Sequence, residues 1–316
     1  MIITFTANPS LDRTAPLAGD LRVGRLNRLG HVYAVAAGKG VNVSVAVNAA
    51  GHPTRAIVPV DAVDPLAEAL RVRGVPTRMV PVGRRARTNL AIAHPEGRVT
   101  RLHEPGEPLS PENQTALVSA LLATLPGASW LALCGSLPPG SPVDWYVRLT
   151  ERAHSVGVKV AVDAHGPALD AVAAAAPQTA PDLLSPNVTE LQQVTGRPIR
   201  EALEAGDLSE AIAAVEELRA RGVPSVLATL GARGALLACA GGLWHAQADA
   251  VDLVSVVGAG DAALAGFLLA SVSGAAASTC VGRAVAYGTA CVMLPGSEVP
   301  CPAEADAVGV RVQQLA

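Results

Sequence analysis

The sequence predicts an α/β fold of three layers, with a mostly parallel central sheet, helices on both of its faces and a small β-sheet lid. Short apolar runs alternate with helical patterns along most of the 316 residues, and this alternation is typical of parallel strands joined by right-handed crossovers. Most of the runs are apolar throughout, which indicates strands that are buried on both faces. Two stretches that alternate between polar and apolar residues, at 10–36 and 76–104, interrupt the rhythm and predict the lid.

The predicted strands are short and rich in leucine or β-branched residues. They lie at 2–7, 55–60, 130–135, 158–164, 182–187 and 225–231. Several of the helices between them begin with a strong signal, such as Ser110 before Pro111 or Ser141 before Pro142. The helices lie at 40–50, 64–73, 111–124, 142–156, 188–195, 209–221 and 261–272. No repeat or low-complexity linker divides the chain, so we expect one domain over residues 1–316 with lid insertions at about 10–36 and 76–104.

The composition excludes several classes of protein. Half of the residues are hydrophobic and 16% are charged, which is typical of a folded globular chain and not of a disordered one. The net charge of −3 argues against a nucleic-acid partner. Positive charge is nevertheless concentrated at residues 71–101, a stretch that contains eight arginines and only one acidic residue. Two interpretations stay open here, a solvated basic face or a rim that attracts a small anionic substrate.

The cysteine and histidine residues predict neither a zinc site nor a disulfide framework. None of the five cysteines and seven histidines has CxxC, HxxxH or HExxH spacing. An odd cysteine count without a signal-peptide pattern predicts reduced thiols and a cytoplasmic location. Residues 262–282 carry no charge, but Ala, Gly and Ser dominate them. That composition favours a buried core helix over a membrane span, so no membrane partner is expected.

The turn from Val257 to Asp261, with the sequence VGAGD, is the strongest chemical signal. Its two glycines let backbone N–H groups converge just before a helix, whose N-terminus adds partial positive charge, so the turn is suited to bind an anion. Asp261 has two open roles, a helix N-cap or a carboxylate that takes a proton from a hydroxyl beside a bound phosphoryl group. Ala263 stands where the GxGxxG fingerprint of dinucleotide-binding sites needs its third glycine, so the sequence does not predict a dinucleotide-binding site here.

Four further polar turns lie near strand or helix ends. Gly38-Lys39-Gly40 opens a helix with Asn42 in its first turn, and it is either a plain helix start or a close approach to a polar ligand. It lacks the Ser or Thr and the preceding glycine of a phosphate-binding Walker A loop. The other three turns follow predicted strands, at 135–138, 186–190 and 229–234. Because parallel α/β sheets bind ligands at the carboxyl ends of their strands, we expect all five turns along one edge.

These motifs together resemble one family. GKGVN, SPNVTEL, TLGARGALL and GAGDAALAGF occur in the order of the PfkB, or ribokinase-like, carbohydrate kinases. The segments TANPSLDRT and CGSLPPG are similar to the phosphosugar branch, which includes 1-phosphofructokinases and tagatose-6-phosphate kinases. The resemblance extends from about residue 2 to about residue 300. It implies a ribokinase-like fold and an ATP- and Mg²⁺-dependent kinase that phosphorylates a sugar phosphate.

The resemblance also implies roles for individual residues. Asp261 matches the general base that accepts the proton of the attacking hydroxyl. The matching anion-hole residues are Gly258, Ala259 and Gly260. The matching sugar-binding residues are Asp12, Gly38, Lys39, Asn42 and Ser136. The matching nucleotide-binding residues are Asn187, Thr229, Gly231 and Gly234. Glu190 matches the acidic residue associated with Mg²⁺, in indirect contact with the ion.

The basic stretch gains a function from the resemblance. A substrate that already carries a phosphate needs a fixed cation at its far end, and the planar guanidinium group suits that contact. Arg87 matches the lid arginine of the family, Asn89 stands beside it, and Arg101 is a second candidate. Three positions depart from the usual family pattern, namely Ser185, Val256 and Ala263. None of them removes the base or the anion hole.

The resulting expectation is phosphorylation of D-fructose 1-phosphate to fructose 1,6-bisphosphate. Tagatose 6-phosphate and fructose 6-phosphate are alternative acceptors, and the basic lid argues against unphosphorylated ones. An alternative from another class is a non-catalytic sensor of sugar phosphate or nucleotide on the same fold. An apolar face on the lid would favour a homodimer formed through it, as in relatives of this type.

Overall fold

Strands and helices alternate along the chain, as the sequence predicts. The computed structural model describes residues 1–315, except for the side chain of Glu96. The strands are β1 (Ile2–Phe5), β2 (Ser10–Pro16), β3 (Tyr33–Ala37), β4 (Thr54–Pro59), β5 (Thr77–Val80), β6 (Arg87–Ala93), β7 (Val99–His103), β8 (Trp130–Cys134), β9 (Lys159–Asp163), β10 (Leu183–Leu184), β11 (Val226–Thr229), β12 (Ala235–Cys239), β13 (Gly242–Ala248) and β14 (Val310–Gln314). The helices are α1 (Lys39–Ala49), α2 (Pro65–Val72), α3 (Pro111–Leu122), α4 (Trp145–His154), α5 (Pro167–Ala174), α6 (Val188–Thr195), α7 (Ile199–Glu204), α8 (Ser209–Ala220), α9 (Ala259–Val272), α10 (Ala277–Val292) and α11 (Pro302–Asp306).

The central sheet has ten strands in the order β14-β13-β12-β11-β10-β9-β8-β1-β4-β5. The strands from β11 to β5 in this order run parallel to one another, and β12, β13 and β14 extend the sheet beyond β11 with antiparallel pairs. The parallel strands β1, β4 and β8 are almost entirely buried, as their continuous apolar sequences predict, whereas the edge strand β5 is partly exposed. Their carboxyl ends therefore meet along one edge of the sheet.

Two hydrophobic cores cover the two faces of this sheet. Ile3 and Phe5 of β1 pack into the core that α3, α4, α5, α6, α7 and α8 complete, whereas the neighbouring Ile2 packs into the core under α1, α9 and α10. Successive side chains of a strand point to opposite faces, so one apolar run serves both cores. The predicted three-layer α/β architecture is confirmed.

Helices α9 and α10 approach each other closely enough to require glycine. A Cβ on Gly266 would lie 2.4 Å from the carbonyl oxygen of Arg283, and one on Gly288 would lie 3.3 Å from the Cβ of Ala263. Small residues let the two backbones approach, which helps to fill the core of a chain in which only 3% of the residues are aromatic. The departure at Ala263 is thus a packing feature of this helix pair. No helix in the described part of the chain is long and apolar enough to cross a membrane, and the uncharged stretch at 262–282 is divided between α9 and α10.

The second sheet has four strands in the order β3-β2-β6-β7. It stands apart from the central sheet and corresponds to the predicted lid. The predicted insertion at 76–104 begins too early, because β5 pairs with β4 as the edge strand of the central sheet. Arg71 and Arg73 likewise lie at the end of α2 and outside the lid strands. The charge run that suggested one basic surface is therefore divided between the main body and the lid.

Several elements were missed or misplaced by the sequence analysis. The predicted strand at 182–187 is reduced to Leu183–Leu184, because Pro186 has no N–H to donate to a neighbouring strand. Helices α5, α7, α10 and α11 and strands β12 to β14 were not predicted. The other predicted strands and helices lie within a few residues of their expected bounds.

Candidate functional site

The turns that end the parallel strands lie along one edge of the central sheet. Gly135 and Ser136 follow β8, Asp163 ends β9, and Asn187 follows β10. The backbones of Asn187 and Thr229 form a parallel bridge, so the turns after β10 and β11 lie side by side. Two of the five polar turns are thus joined directly, and the turn at 257–261 begins α9.

Asp261 lies in the first turn of α9, buried with 6% of its surface exposed. Gly258 precedes the helix with φ of 81°, a left-handed conformation that favours glycine, and no side chain caps the helix N-terminus. A Cβ on Gly260 would meet nothing within 4 Å, so the turn leaves open space beside the carboxylate. This arrangement presents the first N–H groups of α9 and the Asp261 carboxylate to the same space. It can bind an anion and accept a proton next to it.

Asn42 holds one oxygen of this carboxylate. Its Nδ2 donates a hydrogen bond of 2.8 Å to Oδ2 of Asp261. Burial and the negative charge of Asp163 raise the pKa of Asp261 to about 7, against the opposing effects of Lys39 and of the Asn42 hydrogen bond. A carboxyl group with such a pKa exchanges its proton near neutral pH, which suits a general base.

Lys39 connects two buried carboxylates. Its Nζ lies 2.5 Å from Oδ1 of Asp163 and 3.3 Å from Oε1 of Glu190, whose side chains are 4% and 7% exposed. Burial alone lowers the pKa of Lys39, but Asp163, Glu190 and Asp261 together raise it above its usual value. Lys39 therefore remains charged and neutralises a strongly acidic pocket.

Asp163 was missed by the sequence analysis. It is the last residue of β9, within the predicted strand 158–164, and its position at the carboxyl end of a parallel strand is the same signal that selected the other turns. Its importance follows from the contact with Lys39, which is separated from it by 124 residues. No local pattern specifies such a contact.

Asn187 and Glu190 form a capping box at the start of α6. Oδ1 of Asn187 accepts a hydrogen bond of 3.0 Å from the N–H of Glu190, and Oε2 of Glu190 accepts one of 2.8 Å from the N–H of Asn187. Burial raises the pKa of Glu190, and Lys39 opposes that effect. The NxxE motif thus has a structural role in the helix start, and it also presents an acidic group beside Lys39.

The glycines of the turns are explained largely by packing. A Cβ on Gly38 would lie 2.8 Å from Cγ2 of Thr6, and one on Gly40 would lie 2.5 Å from Oγ1 of Thr6. The close approach required of Gly38 and Gly40 is therefore to β1 and its following turn. In the turn after β11, Gly231 has φ of 60°, and a Cβ on Gly234 would lie 1.9 Å from the carbonyl oxygen of Ala246. Binding roles for these glycines stay predictions.

On the lid, Asp12 and Asn89 are neighbours. Nδ2 of Asn89 donates to Oδ1 of Asp12 at 2.8 Å and to Oγ of Ser10 at 3.0 Å. The Oδ1 of Asn89 is buried and has no hydrogen-bond partner within residues 1–315. An acceptor of this kind is available to a ligand hydroxyl.

Arg87 lies at the base of the lid, in register with Ser10. Its Nε donates to the carbonyl oxygen of Asn8 at 3.1 Å, and Nδ2 of Asn8 donates to Oγ of Ser136 at 3.2 Å. Burial lowers the pKa of Arg87, while Asp12 and Glu104 oppose that effect. Asn8, which is buried, was quoted in a motif but not selected as a site residue, and it connects the lid arginine to the turn after β8.

Arg101 lies farther out, exposed on β7 and paired with Ala91 of β6. The structure does not bring it together with Arg87 or Asp12 through any hydrogen bond in the described part of the chain. Within that part there is also no group of three or more His, Cys, Asp or Glu residues placed to hold a metal ion.

Comparison with known proteins identifies the family. The profile of the pfkB family carbohydrate kinases matches residues 8–304. The chain belongs to this family. It is 31% identical over 305 residues to a 1-phosphofructokinase of Rhodobacter capsulatus, covering 95% of this chain and 93% of that relative. The match confirms the predicted pfkB kinase and implies ATP as its co-substrate.

Solved structures agree with this assignment. The structure of phosphofructokinase-2 of Escherichia coli in complex with substrates and products superposes on this chain with a TM-score of 0.87 at 26% identity. The superposition covers 96% of this chain and 97% of the phosphofructokinase-2 chain. A ribokinase of Arabidopsis thaliana complexed with ribose and ATP has a TM-score of 0.73 at 21% identity over 96% of each chain, which shows the shared fold. The predictions of a ribokinase-like fold and of a sugar-phosphate kinase are confirmed.

Proposed function

We propose that this pfkB kinase transfers the γ-phosphoryl group of ATP to the 6-hydroxyl of D-fructose 1-phosphate, giving fructose 1,6-bisphosphate and ADP. The observation that carries the proposal is the buried Asp261, held by Asn42 beside the open N-terminal turn of α9. The choice of acceptor is supported by the 31% identity to a 1-phosphofructokinase.

Asp261 is the general base in this mechanism. It accepts the proton of the 6-hydroxyl as that oxygen forms a bond to the γ-phosphorus, and the bond from phosphorus to the β–γ bridging oxygen breaks. The raised pKa of about 7 is supporting evidence, because a base with a pKa near the working pH is most effective. The backbone N–H groups from Gly258 to Gly260 stabilise the charge on the transferring group.

ATP binds as its Mg²⁺ complex at the turns after β10 and β11, at Asn187, Thr229, Gly231 and Gly234. Both oxygens of Glu190 already accept hydrogen bonds, from Lys39 and from the backbone of Asn187. Glu190 would therefore hold Mg²⁺ indirectly, as the resemblance implies, and the ion would supply positive charge to neutralise the phosphates of ATP.

The sugar phosphate binds between the lid and the main body. Asp12 and Asn89 contact its hydroxyl groups, and Gly38, Lys39, Asn42 and Ser136 line the opposite side. Arg87 binds the phosphate that the substrate already carries, with Arg101 as a second contact from the outer lid strand. The link from Arg87 through Asn8 to Ser136 supports this arrangement, since it keeps the cation at a fixed distance from the sugar.

A substrate panel tests the proposal. ADP release with MgATP would be measured for fructose 1-phosphate, tagatose 6-phosphate, fructose 6-phosphate, fructose and ribose. We expect kcat/KM for fructose 1-phosphate to exceed the others at least about tenfold, which corresponds to roughly 1.4 kcal/mol in the barrier. A preference for fructose 6-phosphate would contradict the acceptor and favour the alternative, since E. coli phosphofructokinase-2 has been solved in complex with that sugar.

The Arg87→Met variant tests phosphate recognition. Loss of a bidentate cation should raise KM for the sugar phosphate at least about tenfold and leave KM for ATP within about twofold. Arg98→Met is the matched control, because Arg98 is exposed on the lid and pairs with Asp20. Equal effects of the two substitutions on KM for the sugar phosphate would show that the lid arginines act only through their summed positive charge and that Arg87 makes no specific contact.

The Asp261→Asn variant distinguishes the proposed enzyme from the alternative of a non-catalytic sensor. The enzyme should lose turnover by about 10²- to 10⁴-fold while it still binds ATP. A sensor would bind both ligands without turnover in either form. Calorimetric titration with ATP, beside the ADP-release assay, distinguishes the two.

The lid also supports a homodimer. Val23, Leu26 and Tyr33 lie in or beside the lid strands with 93%, 71% and 62% of their surfaces exposed. Apolar groups exposed to this extent are typical of an association surface. Analytical ultracentrifugation should give a dimer for the wild type and a monomer for Leu26→Asp combined with Tyr33→Asp. The cytoplasmic location stays a prediction.

A further inference from the structure

Arg73 lies directly behind the Asn42–Asp261 pair. It caps the C-terminus of α2 and is half-buried among three other segments. Its Nη1 donates hydrogen bonds to the carbonyl oxygen of Ala36 at 2.8 Å and to Oδ1 of Asn42 at 2.9 Å, and its Nη2 donates to the carbonyl oxygen of Ser297 at 3.1 Å. One guanidinium group therefore joins the last lid-strand residues before α1, α1 itself and the loop after α10.

The contact with Arg73 decides the orientation of the Asn42 amide. An arginine only donates hydrogen bonds, so the amide atom that faces it must be the oxygen. The Nδ2 group must then face Asp261, where it donates a hydrogen bond of 2.8 Å to Oδ2. Asn42 is 4% exposed, so water does not compete for these contacts. Without Arg73, the amide could turn over and present its oxygen to the carboxylate.

The orientation of Asn42 in turn distinguishes the two oxygens of Asp261. Oδ2 accepts the amide hydrogen bond, and Oδ1 is the oxygen that remains to accept a proton. We propose that Arg73 is a positioning residue of the kinase reaction: it fixes the Asn42 amide, which leaves Oδ1 of Asp261 as the proton-accepting atom, and it keeps a positive charge behind the base. This inference rests on the proposed role of Asp261 as the general base.

The charges around Asp261 give the proposal a pH-dependent consequence. The groups that face it or Arg73 from the surrounding elements are Asp163, Lys39, Glu190, Cys291, Asp12 and Glu298. Burial raises the pKa of Asp261, and a cation such as Arg73 opposes that rise. Removal of Arg73 should therefore raise the pKa of the base further, and activity should begin to fall at a higher pH on the acid side.

The test compares Arg73→Met, Arg73→Lys and a matched control in the full-length protein with MgATP and fructose 1-phosphate. Arg71→Met is the control, because Arg71 lies two residues away near the end of the same helix and its contacts, with Glu68 and with the carbonyl oxygen of Ala62, are exposed and away from Asn42. We expect kcat of Arg73→Met to fall about 100-fold, since misplacement of a catalytic group by about 1 Å has effects of this size. KM for ATP should stay within about twofold. Arg73→Lys should recover part of the loss, and the control should match the wild type.

The pH profile separates positioning from a merely structural role. In Arg73→Met, the acid limb of kcat should move to higher pH by at least about half a unit, whereas Arg73→Lys keeps the positive charge and should move it less. For Arg73→Met, a kcat within twofold of the wild type, or a lowered kcat with an unchanged acid limb, would overturn the proposal. If Arg73→Met fails to fold, the decisive measurement is Arg73→Lys in the Asn42→Ala background. Arg73→Lys should then have less than about a twofold further effect on kcat, because both residues act through the same contact.

Asp261→Asn in the same assay distinguishes failure of this inference from failure of the proposed function. If the kcat of Asp261→Asn stays within about tenfold of the wild-type value, Asp261 is not the general base, and the inference about Arg73 fails together with that assignment. If Asp261→Asn is inactive while the Arg73 variants match the wild type, the base is retained and only the role of Arg73 is refuted.

Discussion

The Asp261→Asn variant should be more stable than the wild type at alkaline pH, although it loses activity. Burial and Asp163 raise the pKa of Asp261 from its ordinary value of 3.8 to about 7 in the folded protein. Between these two pH values the folded state binds the proton and the unfolded state does not. The group therefore contributes a stability that is present below pH 3.8 and is lost as the pH rises to about 7. Asparagine carries no charge and escapes this loss.

The magnitude follows from the same two pKa values. The difference between 3.8 and about 7 corresponds to roughly 4 kcal/mol. This difference already includes every interaction of the charged form in the folded protein, such as that with the N-terminus of α9. The hydrogen bond from Asn42 survives, because the asparagine side chain also has an oxygen to accept it. We therefore expect a net stabilisation of roughly 4 kcal/mol at pH 8.

Urea unfolding of the wild type and of Asp261→Asn at pH 5 and pH 8 measures this effect. The difference between the two proteins should grow by roughly 2.7 kcal/mol between these pH values, since about two pH units separate pH 5 from the folded-state pKa. Glu151→Gln, which makes the same change on the exposed surface of α4, should show no such pH dependence. A difference that is independent of pH, or a less stable variant at pH 8, would refute the reasoning.

Three further substitutions test the site and its support. Lys39→Met should lower the free energy of unfolding by about 3–5 kcal/mol at pH 7.5, because it leaves Asp163 buried without its cation. The loss should shrink at pH 5.5 in the same urea experiment, because burial raises the pKa of Glu190 and of Asp261, Lys39 opposes both rises, and such carboxyl groups destabilise the folded state less as the pH falls; an equal loss at both pH values would contradict it. Gly266→Val should cost at least about 1–3 kcal/mol in thermal unfolding because its Cβ would lie 2.4 Å from the carbonyl oxygen of Arg283, and an unchanged Tm would disprove this close packing. Gly260→Ala has open space and should keep its Tm, yet lower kcat at least about tenfold by crowding the transferring phosphoryl group, so full activity would argue against the anion site there.

The sequence alone predicted the features that depend on neighbouring residues. Apolar runs without polar alternation identified the buried strands, and the glycines at 258 and 260 identified the turn that begins α9. The candidate base at Asp261 followed from its place in that turn. These signals are local, because strand burial, helix starts and turn conformations are encoded within a few residues.

The structure corrected conclusions that depended on a charge run. Arg73 was grouped with the lid arginines on charge alone, but it caps α2 and contacts Asn42. For Gly38 and Gly40 the sequence left two roles open, a plain helix start or a close approach to a ligand, and the structure adds a third reason for glycine, since Thr6 occupies the space where a Cβ would lie. Charge and residue type did not distinguish these situations, because each depends on which distant segment packs alongside.

Only the tertiary structure brought together the residues that act as a unit. Lys39 meets Asp163 and Glu190 across 124 and 151 residues of sequence, and Asn42 meets Asp261 across 219 residues. These contacts follow from the order of the strands in the sheet and from the crossing of α1 and α9 behind it. Strand order minimises the free energy of the whole core, so no local segment specifies it. The sequence therefore determined which chemical groups stand at the strand ends, and the packing of the sheet decided which of them share one site.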